Sequence, residues 1–70
     1  MNKYSERVRD EESRIYSLVK ENPGITVTQM REELGWTLDK VTNRLRSLAY
    51  DKKVTFTRAQ REPRKWRVVE

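Results

Sequence analysis

Seventy residues, 39% charged and 34% hydrophobic, allow one small domain with a thin core and no deep substrate cleft. The absence of Cys and His excludes disulfide frameworks, Cys/His zinc sites, Ser-His-Asp triads and Cys-His pairs. The formal net charge of +5 is unevenly placed: residues 1–35 carry 6 Lys/Arg against 7 Asp/Glu, whereas residues 36–70 carry 10 against 4. That asymmetry points the second half toward a polyanion, most often nucleic acid, although a merely solvated surface would show the same sum.

The N-terminal "MNKYSERVRDEESR" has no apolar core of a signal peptide, and no run approaches membrane-spanning length. The expectation is a soluble, cytoplasmic chain with no membrane partner, no metal and no cofactor. An enzyme is not expected either: carboxylates fall on helix faces without a paired setting, and no Gly-rich loop is present to cradle phosphates.

A first helix is predicted over about residues 5–22. Val8, Ile15, Leu18 and Val19 recur at helical spacing, with Tyr4 at its start, and Asn22-Pro23-Gly24 stops it. Asp10-Glu11-Glu12 on this helix reads as a solvated face, partly neutralised by Arg7, Arg9 and Arg14 one turn away. A second helix, about 26–34, opens on "TVTQ", a capping box in which Thr26 caps the Gln29 amide and Gln29 reaches back. Ile25 and Met30 flank it as a hydrophobic staple, Val27, Met30 and Leu34 form its buried stripe, and Gly35 supplies a left-handed end.

A third helix follows at once over about 37–51, with Thr37 as N-cap and Trp36 and Val41 as a second staple. Leu38, Val41, Leu45 and Leu48 line its buried face. Beyond it the period changes. Val54-Thr55-Phe56-Thr57-Arg58 and Trp66-Arg67-Val68-Val69 alternate as strands around a polar, Pro63-containing loop, giving a hairpin over about 54–69.

The corner Gly35-Trp36-Thr37 is too short for the second and third helices to run antiparallel, so they cross steeply as a helix-turn-helix unit. At about 100° per residue, burial of Val41, Leu45 and Leu48 turns Asp39, Asn43, Arg46 and Tyr50 outward, flanked by Lys40, Thr42 and Ser47. A major groove about 12 Å wide admits such a helix. Arg can bridge guanine O6 and N7, Asn adenine N6 and N7, and Asp can accept from cytosine N4. An ordinary solvated helix face would show the same residue types.

The stretch "TVTQMREELGWTLDKVTNRLRSLAYDKKVTF", followed by "RKWRV", resembles the winged helix-turn-helix family of bacterial, archaeal and phage DNA-binding regulators. The resemblance implies an α+β, mostly α fold of three helices and a two-stranded wing as one domain over 1–70. It further implies sequence-specific binding of double-stranded DNA by a small transcriptional regulator. Residues Thr37, Asp39, Lys40, Thr42, Asn43 and Arg46 then correspond to the groove-facing positions, and the wing corresponds to Arg58–Lys65.

Arg44 is a further candidate DNA-binding residue of the recognition helix, and Arg58, Arg61, Arg64 and Lys65 are the wing cations available to phosphates or the minor groove. Alternatively, these charges only keep a hairpin edge from pairing with other chains. Two positions depart from the family pattern: Arg31 stands where a small residue is usual, and Lys52-Lys53 where a Gly commonly precedes the wing strand.

A narrower resemblance joins "NRLRSLA" and "EPRKWRV" to the left-handed-duplex-binding domain of double-stranded-RNA adenosine deaminases. Pro63 and Trp66 match that pattern, but its Asn–Tyr pair does not: Asn43 has Ser47 four residues on, and Thr42 has Arg46. Trp66 therefore reads as core. One reading helix covers few bases, which makes a homodimer on two half-sites a natural partner arrangement. The rival function is a protein–protein interaction module on the same scaffold, favoured if Trp36, Leu38 and Tyr50 form an exposed apolar patch.

Overall fold

A computed structural model describes residues 3–58 and 60–69. Three helices, α1 (Lys3–Glu21), α2 (Val27–Leu34) and α3 (Leu38–Tyr50), precede an antiparallel hairpin of β1 (Val54–Thr57) and β2 (Lys65–Val68). This is the α+β, mostly helical layout of a winged helix-turn-helix. No helix among the described residues is long and apolar enough to cross a membrane.

Each boundary has a local cause. α1 ends where the Asn22 side chain and backbone both donate to the Leu18 carbonyl, ahead of Pro23 and of Gly24 at φ 87°. The capping box forms as the sequence dictates: Gln29 N–H donates to Thr26 Oγ1, and Thr26 N–H donates to Gln29 Oε1. α2 closes on Gly35, left-handed at φ 68°, whose N–H reaches the Arg31 carbonyl. After two residues Thr37 opens α3, its Oγ1 accepting from Lys40 N–H at 3.2 Å.

Among the described residues the core is formed by Ile15, Val19, Ile25, Met30, Val41, Leu45, Leu48, Val54 and Trp66. Val27, Leu34, Leu18 and Trp36 are half-buried against them. Arg31 is exposed, so Met30 beside it carries the packing of α2 and a small residue is not required there. Leu38 departs from the expected buried stripe and is 52% exposed. It stands in the first turn of α3, one turn ahead of Val41, where the packed stripe has not yet begun. Tyr4 falls where side chains are not described, as does Ala59 of the expected loop.

The register pairs Val54 with Val68 and Phe56 with Trp66 on one face, and Thr55 with Arg67 and Thr57 with Lys65 on the other. β2 is the middle of this small sheet. Trp66 N–H donates to the Ile25 carbonyl, and Gly24 N–H donates to the Trp66 carbonyl, so the α1–α2 connection adds a one-residue third strand. Fixed by backbone on both sides, the Trp66 indole is buried in the core with the Phe56 ring 5.0 Å away.

Candidate nucleic-acid interface

α3 divides into three lengthwise zones. Val41, Leu45 and Leu48 are buried. Asp39, Asn43, Arg46 and Tyr50 are exposed on the opposite side, with Thr37 exposed at the cap and Thr42 half-buried on one flank. The other flank belongs to α1. There the Lys40 ammonium lies 2.7 Å from Glu11 Oε2, Arg44 Nη2 lies 3.6 Å from Glu11 Oε1, and Ser47 donates to Glu12 Oε1 at 2.6 Å.

Two sequence expectations are corrected by this flank. Lys40 and Arg44 are expected to contact DNA from α3, but both charged ends turn to α1. At about 100° per residue, positions 40, 44 and 47 form one stripe bordering the buried face rather than the outward one. The sequence places Glu11 on a solvated acidic face, yet it is 5% exposed. Only its neighbour Asp10 behaves as expected, pairing with Arg14 one turn on with both side chains well exposed.

The contact with Lys40 holds the Glu11 carboxyl below its usual value of 4.5, assisted by the charges of Lys40, Arg44 and Arg7 and opposed by burial. One carboxylate thus faces two cations. Lys40 is clamped from a second side by the Trp36 ring, 4.6 Å from its ammonium.

The wing is a different kind of surface. Arg58, Arg61, Arg64, Lys65 and Arg67 are all exposed. The Lys65–Glu62 pair is 4.0 Å long with both side chains 54% exposed, a contact worth little in water. Arg64 stacks over the Phe56 ring at 4.7 Å, which orients its guanidinium without neutralising it. Among the described residues no carboxylate lies within ion-pair distance of Arg46, Arg58, Arg61, Arg64 or Arg67.

The chain matches no protein-family model, no curated protein and no solved structure in these comparisons. Of the three basic residues on α3, one, Arg46, faces outward beside Asn43 and Asp39, while the wing and the exposed Lys52 and Lys53 carry further open positive charge in the same half of the chain.

Sequence reasoning missed Glu11 and Glu12 as partners of α3, and a signal was present. Glu11 sits within the Val8–Ile15–Val19 stripe at helical spacing, where an acidic side chain is buried unless a partner meets it. Lys40 and Arg44, one turn apart on another helix, are the partners that such a position requires.

Proposed function

We propose that this chain binds double-stranded DNA as a small, sequence-reading transcriptional regulator. In this reading α3 enters the major groove and the hairpin contacts phosphates or the minor groove. The observation that carries it is the uncovered polar stripe of α3: Asp39, Asn43 and Arg46 are exposed, and no side chain of α1 or α2 is hydrogen-bonded or ion-paired to them among the described residues. Asn43 and Arg46 stand one turn apart, which lets them address neighbouring base edges, Arg to guanine and Asn to adenine. Thr37 and Thr42 border the stripe. Lys40 and Arg44 are not assigned to the interface.

The wing supplies attraction rather than sequence. Five open cations neutralising about five phosphates give a slope of log K against log salt of about −4.5. Two copies on half-sites about one helical turn apart would extend the few bases that one stripe can read. The interaction-module reading finds less support. Leu38 and Tyr50 are 52% and 88% exposed, but they lie at opposite ends of α3, about 18 Å apart, and half-buried Trp36 is covered by Lys40.

The test is fluorescence anisotropy with a random-sequence duplex at about 50 and 200 mM salt, followed by selection of preferred sequences. A slope of about −4.5 means a loss of roughly 500-fold across that interval. Absence of binding at the lower salt, or a flat salt dependence, refutes the proposal.

A further inference from the structure

Two of the three cations on α3 are turned away from the face that the proposed function uses. Lys40, its side chain 40% exposed, is held by its ammonium between the Trp36 ring at 4.6 Å and Glu11 Oε2 at 2.7 Å. Arg44 has a side chain only 19% exposed and is drawn toward the same carboxylate, with its Nε buried and without a hydrogen-bond partner. Ser47, the next residue of the same stripe, is tied to Glu12. Leaving a guanidinium N–H unsatisfied has a cost, so holding Arg44 there requires a compensating attraction, and Glu11 is its source.

An arginine or lysine at this place on a groove-entering helix would, if released, reach the phosphates beside the groove. Phosphate contacts raise affinity for every sequence alike and carry no base information. Keeping those two cations out of the contact lowers indiscriminate binding without touching the reading face. Asp39, exposed on that face, acts in the same direction by repelling backbone phosphate unless a base donor meets it.

We infer that Glu11 limits the sequence-independent affinity of α3 for DNA: by holding Lys40 and Arg44 against α1, it keeps both charges off the phosphates. The inference rests on the DNA-binding reading above. Glu11 does not touch DNA; it is a positioning residue, buried on the side of α3 away from the groove.

Glu11→Gln keeps the size and polarity of the side chain while removing its charge. Each freed cation that reaches a phosphate steepens the salt slope by about 0.9, so two give about 1.8. Between about 50 and 200 mM salt the variant then loses roughly tenfold more affinity for a random-sequence duplex than the wild type does. At the lower salt it binds selected and random duplexes more tightly, in equal proportion.

A merely structural role lowers both affinities and leaves the slope alone. Adding Lys40→Met and Arg44→Met to Glu11→Gln removes the released charges and returns the slope to the wild-type value. Should Glu11→Gln fold poorly by thermal unfolding, Lys40→Gln in the wild-type background gives the same information. A sequestered Lys40 leaves the slope unchanged, and a Lys40 on a phosphate makes it shallower by about 0.9. Wild-type binding with a slope indifferent to Glu11→Gln, or a shallower slope for Lys40→Gln, overturns this inference alone. Failure of the wild type to bind either duplex overturns it together with the DNA-binding reading.

Discussion

α3 ends in a Schellman arrangement, with Lys52 N–H donating to the Ala49 carbonyl and Lys53 N–H to the Leu48 carbonyl. Such an ending needs a left-handed residue, and Lys52 takes that place at φ 61°. For a residue with a Cβ this conformation costs about 1–2 kcal/mol. Glycine removes the cost but adds about 0.5–1 kcal/mol of unfolded-state entropy.

Lys52→Gly should therefore stabilise the domain by about 0.5–1 kcal/mol, which raises Tm by about 3–6 °C in a chain of this size. The counterpart is Gly35, left-handed at φ 68°, where an added Cβ meets nothing within 4 Å. Gly35→Ala isolates the backbone cost with no clash and should destabilise by about 1 kcal/mol. Lys52→Ala removes the same charge as Lys52→Gly but keeps the strain, so it separates electrostatics from backbone. Thermal unfolding followed by far-ultraviolet circular dichroism reads all three. A Tm for Lys52→Gly no higher than that of Lys52→Ala refutes the reasoning.

Three further outcomes are expected. The folded-state pKa of Glu11 is lowered, so its stabilising contribution is present above the usual value of 4.5 and is lost as pH falls through the folded-state value. Acid titration of Tm should show a smaller acid-side loss for Glu11→Gln than for the wild type. Arg46→Ala should cost about 1–3 kcal/mol on a selected duplex and relax preference at one base position, as measured by competition with single-base variants. Arg61→Ala and Arg64→Ala should weaken binding to selected and random duplexes in equal proportion and flatten the salt slope by about 0.9 each.

The helices and hairpin were legible because their signals are local. The Thr26–Gln29 box, Gly35 and Thr37 each fix a boundary within four residues, and the change of period at Val54 marks the strands without any tertiary information. The contacts of α3 with α1 were not, because a carboxylate 29 residues upstream decides which way Lys40 turns and no window along the chain contains both. The same holds for Ile25. Its part in the α2 staple is local, whereas its bridge to Trp66 joins residues 41 apart. Lys52 shows a third kind of gap: the Gly expected before the wing strand is absent, yet the left-handed geometry is kept because two carbonyls at the end of α3 need those N–H donors.

Charge totals were the least informative part of the sequence for α3, and the reason bears on what the Glu11 contact provides. An ion pair at this depth is weak evidence for stability, since desolvation of the charges offsets much of their attraction and well-packed apolar side chains often do as well. A thin core such as this one would be served by Leu at position 11. What an apolar contact lacks is register. Lys40 and Arg44 lie one turn apart, and both reach the same carboxylate at only one axial position of α3 along α1, with Ser47 and Glu12 meeting one turn further on. A slip of α3 by a turn, about 5.4 Å, would strand a buried charge at a cost that sliding Leu against Leu does not incur. The outward stripe of Asp39, Asn43 and Arg46 is fixed to the same helix, so the contact that hides two cations also sets where the remaining one points.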